Sequence, residues 1–358
     1  MPAERLTVRN LRRRLTRAQC IQTSRVILRG YVRLRRAIEK GYMKILVPSS
    51  IESFRGLPAE VAAVTYDPQL PIPEEHVDAD ALIVWSTPAE QLADAARRLT
   101  HLRWVQTLAA GADTVLKAGF ADSVVITNGV GLHNDAVAEH AMALILAAMR
   151  RVDLCVRAST ERTWRRDVRG IAQHGDDAAL HTLHGARVTI WGLGEIGGRL
   201  AEMLAAFGAH VVGLGRKTTS RNGIQVHAMD HASHVLAETD LLVMILPSTA
   251  ATRHALGAEL LERLPSRAWV INVGRGETID ECALSSAVAS GSIGGAALDV
   301  FEVEPLPFES PLWELENVIV TPHAAGGRPR GYQELIIRNC VAFLRGSGLI
   351  NEVARDAG

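Results

Sequence analysis

From Met43 onward, short runs of β-branched and apolar residues alternate with stretches whose apolar positions recur at helical spacing. Runs at 44–48, 61–66, 80–85, 103–108 and 124–127 predict five strands. Asn134 to Arg150 holds apolar residues at helical spacing with no breaker, and it opens on Asn134-Asp135, residue types that cap helix N-termini. One long helix is predicted there. A second series of strands is predicted at 187–191, 210–214, 241–246, 269–273, 296–300 and 318–321. Strands that alternate with helices build βαβ units and a parallel sheet. Two such series separated by a long helix predict two α/β domains. The segment Arg165 to His184 is polar and rich in His and Asp, and it is expected to be a loop.

Composition changes this picture in three places. A length of 358 residues exceeds one ordinary core, which agrees with two domains. Net charge is +0, so nothing global points to nucleic acid. The balance is local, however: residues 1–42 carry a net +10 and the rest about −10. Three readings of this basic start stay open: a disordered tail or upstream-start artefact, a transit peptide, or a segment that touches nucleic acid or a membrane surface. Cys20, Cys155, Cys282 and Cys340 are scattered with no paired spacing, so a disulfide framework or zinc site is not expected, and neither is any other metal. No run reaches eighteen apolar residues and no secretory signal opens the chain, which predicts a cytoplasmic protein that does not enter a membrane.

Candidate chemistry begins at Gly192-Leu193-Gly194-Glu195-Ile196-Gly197. This run directly follows an apolar strand and opens a helical stretch. In that context the glycines form a dinucleotide-binding turn. Gly192 allows the tight turn, Gly194 a close backbone approach, and Gly197 close packing of helix on strand. The amides of Glu195 and Ile196 lie at a helix start, which favours phosphate. The second strand sets the cofactor. An acid at its end holds the ribose hydroxyls of NAD. Here the chain reads Gly215-Arg216-Lys217-Thr218 instead. Arg216 and Lys217 attract a 2′-phosphate, so NADP(H) is favoured, with NAD(H) the alternative.

Three further segments carry polar groups at predicted strand ends, where open α/β sheets bind ligands. They are Asn272-Val273-Gly274-Arg275-Gly276, Leu298-Asp299-Val300-Phe301 running to Glu304-Pro305, and Thr321-Pro322-His323. Glu302 competes with Glu304 as the carboxylate. His133, His140, His174, His181 and His184 show no metal-ligand spacing and are expected to be surface or loop residues.

This ordered set of motifs resembles the D-isomer-specific 2-hydroxyacid dehydrogenase family over roughly residues 43–353. The resemblance implies two Rossmann-like α/β domains. A doubly wound parallel-sheet NAD(P)-binding domain (135–325) is inserted into a flavodoxin-like substrate-binding domain (43–134 and 326–358), with the active site in the cleft. It implies an enzyme that reduces a small 2-oxo acid to the D-2-hydroxy acid, or runs the reverse. In it His323 is the general acid/base, Glu304 its partner, and Arg275 the group that binds and polarises the substrate. Val273, Gly274, Arg275, Asp299 and His323 would also bind the cofactor, with Asp299 on its nicotinamide carboxamide. Pro247 would lie by the adenosine. Ala110 and Gly111 would hold the substrate carboxylate, and a loop at 49–54 its side group. The long helix and the segment after it match the arm through which such enzymes form homodimers. Glu304 stands where formate dehydrogenases of the superfamily carry glutamine. Ala110 stands where phosphite dehydrogenases carry lysine. A different class also shares the pattern: nucleotide-sensing corepressors that keep the fold without turnover.

Overall fold

A computed structural model describes residues 42–52, 55–168 and 182–355. The basic segment 1–41, His174 and His181 lie outside the described residues, as does most of the expected 165–184 loop. The described start of that loop differs from expectation, because 166–168 are helical. The chain divides into two compact units.

The first unit takes the residues up to Leu108, Ala112–Asn128, and those from Gly331 on. Its sheet holds β1 (Met43–Pro48), β2 (Val61–Tyr66), β3 (Ala81–Val84), β4 (Trp104–Thr107) and β5 (Val125–Thr127). All neighbours pair in parallel, in the order β2-β1-β3-β4-β5. That is the flavodoxin-like order. Helices α1 (Ala89–Arg98) and α2 (Asp113–Lys117) connect these strands, and the C-terminal helix α9 (Tyr332–Leu344) completes the unit. Distant parts of the chain meet there. Trp104 stacks on Phe343 at 5.9 Å, and the buried Asn339 donates to Gln106 Oε1 at 2.9 Å.

The second unit takes 109–111 and 129–330. The boundaries expected at 134/135 and 325/326 therefore fall inside it. Its sheet runs β13-β12-β11-β10-β6-β7-β9-β8. The strands are β6 (Arg187–Trp191), β7 (His210–Gly215), β8 (Thr219–Arg221), β9 (Ile224–Ala228), β10 (Leu241–Met244), β11 (Trp269–Asn272), β12 (Gly295–Leu298) and β13 (Val318–Val320). Every pair is parallel except β8 with β9. Strand order reverses at β6, whose neighbours β7 and β10 continue in opposite directions across the sheet. The crevice at such a reversal is where doubly wound sheets bind ligands.

Burial on both faces explains the continuous apolar runs. Along β10, Leu241 and Val243 join one core with Val188 and Ile190, while Leu242 and Met244 join the other with Trp191. A strand covered on both sides has no polar face to alternate. The first core is covered by α3 (Asn134–Arg150) and α5 (Glu195–Ala206). Helix α3 buries Val137, Ala138, Ala141, Met142, Leu144, Ile145, Ala148 and Met149, one continuous stripe. It ends where Arg151 turns left-handed (φ 48°), and α4 (Val152–Thr160) follows. Its N-cap is His133 rather than Asn134, with no side-chain cap bond. On the other face lie α6 (Ala232–Ala237), α7 (Ala258–Leu261) and α8 (Glu281–Ala289). The β8–β9 hairpin is an element the sequence reading missed. Its tip, Asn222-Gly223, has φ of 52° and 79°, both left-handed as a two-residue hairpin turn requires.

Candidate active site

Residues with chemistry sit just past the C-terminal ends of three adjacent strands. Arg275 follows β11, Asp299 follows β12 and His323 follows β13. His323 is in the left-handed region (φ 51°), where most residues with a side chain are strained. The surroundings hold it there. Its amide donates to Asp299 O at 2.8 Å and to Thr321 O at 3.1 Å. Asp299 is fully buried, and both its carboxylate oxygens serve the same turn. Oδ1 accepts from Thr321 Oγ1 at 2.6 Å and from the Ala324 amide at 2.9 Å, and Oδ2 from the Ala325 amide at 3.0 Å.

Two histidines read as surface or loop residues turn out to support this turn. His140 Nε2 lies 3.0 Å from Thr321 Oγ1 and 3.3 Å from Asp299 Oδ1. His133 is buried, with Nδ1 2.5 Å from Gly326 O. Long-range contact, which no local pattern reports, corrects the expectation for His140, which lies within α3, while His133 is a loop residue as expected but a buried one. His184 is exposed, as expected.

His323 Nδ1 is bonded to Glu304 Oε2 at 2.7 Å, and Glu304 Oε1 accepts the Phe301 amide at 3.0 Å. Glu302, the competing acid, faces elsewhere: Oε1 accepts the Glu281 amide at 3.1 Å. The hydrogen bond to Glu304 is the main force that raises the His323 pKa above 6.5. Burial and the Arg275 charge oppose it, while the Glu304 and Asp299 charges add to it. Burial pushes the Glu304 carboxyl up. The His323 bond, the Phe301 amide and the positive charges of His323 and Arg275 outweigh it and leave the carboxyl below its ordinary value. The pair therefore favours imidazolium and carboxylate. Arg275 bears electrostatically on both partners.

The glycine turn follows β6. Gly192 has φ 103°, and a Cβ there would meet Ile245 O at 2.6 Å. A Cβ on Gly197 would meet Gly192 O at 2.8 Å, so helix and turn touch as closely as backbones allow. Gly194 caps α5 and faces open space. Glu195 and Ile196 open the helix. A carboxylate at a phosphate-binding helix start opposes an anion, but Arg221 of the hairpin pairs with Glu195 at 2.6 Å. Beside this pair lies a cavity of about 440 Å³, lined in part by Gly194, Glu195, Gly198, Arg199, Arg221 and Asn222. Arg216 and Lys217 are exposed just after β7. Pro247 follows β10. Val273 is buried, and a Cβ on Gly274 would meet Leu246 N at 2.7 Å. Ala110 and Gly111 are half-buried just beyond β4, next to Ala109, whose carbonyl accepts the Gly129 amide at 2.8 Å. These glycines leave room where a dinucleotide's phosphates would sit, so the residues present fit a nicotinamide cofactor. Among the described residues no group of His, Cys, Asp or Glu is placed to hold a metal, and no helix is long and apolar enough to cross a membrane.

Residues 142–325 match the profile of the D-isomer specific 2-hydroxyacid dehydrogenase, NAD binding domain. The chain belongs to the D-isomer-specific 2-hydroxyacid dehydrogenase family. It is 32% identical over 287 residues to the glyoxylate reductase of Korarchaeum cryptofilum, covering 77% of this chain and 83% of that one. A crystal structure of a family member from Aeromonas salmonicida superposes with a TM-score of 0.73 at 26% identity, over 88% of this chain and 99% of that one. The NADPH-dependent glyoxylate/hydroxypyruvate reductase of Sinorhizobium meliloti, solved with NADP and sulfate, superposes with a TM-score of 0.70 at 26% identity, over 87% and 98%. As a member of this dehydrogenase family, the protein is an NAD(P)-dependent oxidoreductase acting on CH–OH donors.

Proposed function

We propose that the protein reduces a small 2-oxo acid to the D-2-hydroxy acid, with NADPH as the preferred reductant. The observation that carries this reading is the 2.7 Å His323–Glu304 bond within electrostatic reach of Arg275. A 2-oxo acid presents a carboxylate beside a ketone, and reduction builds negative charge on the ketone oxygen. His323, held as imidazolium by Glu304, donates a proton to that oxygen and takes it back in the reverse direction. The Arg275 guanidinium stays charged, binds the substrate carboxylate and polarises the carbonyl. Ala110 and Gly111 offer backbone amides to that carboxylate, in the same reading. When bound, the nicotinamide supplies or accepts the hydride.

The second unit then serves as the cofactor-binding domain, and the first corresponds to the substrate-binding domain except that Ala110 and Gly111 belong to the second. Gly192, Gly194, Glu195, Ile196 and Gly197 would hold the pyrophosphate, and Arg216 and Lys217 the 2′-phosphate. Pro247 would line the adenosine side, and Val273 and Gly274 the nicotinamide side. Asp299, assigned by resemblance to the carboxamide, also accepts three bonds from the 321–325 turn and so helps to fix His323.

Glyoxylate, pyruvate and hydroxypyruvate, offered with NADH and NADPH in parallel, test the reading. Turnover with NADPH is expected, and Arg216→Ala should erase most of the preference over NADH. Silence across the panel overturns the activity, and a strong NADH preference overturns the role of Arg216. The pH profile has a defined sign. Reduction needs protonated His323, so kcat/KM should fall as pH rises through a midpoint above 6.5. Glu304→Gln should move that fall to lower pH, and an unmoved profile removes Glu304 from the dyad. Stability follows the same pair. The His323 contribution is full below 6.5 and lost as pH rises through its raised value. The Glu304 contribution is full above 4.5 and lost as pH falls through its lowered value.

The working state in this reading is a two-fold homodimer. Val156 and Trp164, on and after α4, are 61% and 81% exposed, an apolar surface suited to a partner copy. Light scattering should give twice the chain mass; a monomer at micromolar concentration overturns it.

A further inference from the structure

Glu304 is useful only if its carboxylate stays aimed at His323, yet it sits in an irregular stretch after β12 with no helix or strand of its own. What fixes that stretch can be followed residue by residue. On one side lies Gly276, next to Arg275. A Cβ there would run into the Phe301 carbonyl, so the two backbones are in direct contact. The Phe301 amide in turn donates to Glu304 Oε1 at 3.0 Å.

On the other side two glutamates trade bonds. Glu281 is the first residue of α8, and Glu302 lies two residues before Glu304. Glu302 Oε1 accepts the Glu281 amide at 3.1 Å, and Glu281 Oε1 accepts the Glu302 amide. Each side chain thus holds the other's backbone. Helix α8 has its own cap in Asp280, which accepts the Ala283 amide at 3.0 Å. His254 Nε2 lies 3.1 Å from Glu302 Oε1, off hydrogen-bond alignment. Bringing carboxylates together is costly. Burial, then the charges of Glu302 and Glu304, push the Glu281 carboxyl up against the Glu302 amide bond. A solvated acid in either place would avoid that cost. The arrangement gives the Glu304 stretch a second fixed point.

We propose that the Glu281–Glu302 exchange is a clasp that positions Glu304 against His323. Glu281 and Glu302 are then positioning residues of the proton-transfer pair, acting only through Glu304. The inference rests on the reading of that pair given above.

Glu302→Ala opens the clasp, whereas Glu302→Gln removes the charge and keeps a carbonyl acceptor for the Glu281 amide. In the alanine variant kcat for 2-oxo acid reduction should fall roughly tenfold to a hundredfold, the scale of a misplaced catalytic group. The dissociation constant of NADPH, read by fluorescence, should not change. The glutamine variant should restore kcat. Nuclear magnetic resonance of the His323 imidazole gives a readout that needs no turnover. Its midpoint should drop towards that of free imidazole in Glu302→Ala and stay with the parent in Glu302→Gln. Parent-like turnover and titration in Glu302→Ala overturn the clasp, and so does loss of both in Glu302→Gln, which would assign the effect to charge. If Glu302→Ala loses NADPH binding along with its fold, Glu281→Ala and Glu281→Gln carry the same comparison from the other side. A parent protein inactive on every 2-oxo acid would sink the proposed reaction, while the titration would still decide the clasp.

Discussion

Replacing His323 by glutamine should lower turnover of a 2-oxo acid by roughly 10²- to 10⁴-fold, the usual contribution of a general acid–base. Glutamine keeps a hydrogen-bonding side chain but has no proton to release near neutral pH. The ketone oxygen then has to take its proton from water as charge builds on it. Cofactor affinity should stay nearly intact, because the glycine turn lies after β6 and the histidine after β13. Residue 323 is left-handed, so thermal melting must accompany the kinetics. A stable variant that keeps parent turnover would remove His323 from the mechanism.

Arg275→Met should cost about 10²- to 10³-fold in kcat/KM for the oxo acid, the scale seen when one preorganised donor to a developing oxyanion is lost. Methionine keeps much of the length and none of the charge. Arg275→Lys separates charge from shape. Lysine restores a cation but not the planar fork that matches a carboxylate, so only part of the loss should return. If lysine performs as well as arginine, two-point recognition is wrong. If methionine does, Arg275 has no part in binding or polarising the substrate.

Strands were legible wherever both faces of the sheet are covered, because burial demands apolar residues that local composition records. The run Val188 to Trp191 and the run Leu241 to Met244 are examples. Hairpin strand β8 escaped because Thr219, Ser220 and Arg221 are exposed edge residues with no apolar signature. Its signal was the Asn222-Gly223 dipeptide, which a search for two-residue turns would have found. Motif order placed Arg275, Glu304 and His323 as candidates. The roles of His140 and His133 were not legible, since their partners lie 181 and 193 residues along the chain. Asp299 is a mixed case: its position drew notice, but its bonds to the turn at 321–325 depend on β12 and β13 lying side by side.

Pairing between distant parts of the chain also sets a timetable for biosynthesis. The second unit is almost continuous in sequence, ending at Arg330, and can close while the ribosome still holds the remainder. The first unit begins earlier yet must finish later. Thr127 at the end of β5 bridges to Glu352, and Phe343 of α9 covers Trp104. Until the segment that carries Phe343 and Glu352 emerges, one side of that early sheet stays uncovered, so the nascent chain carries an aggregation hazard throughout synthesis of the second unit.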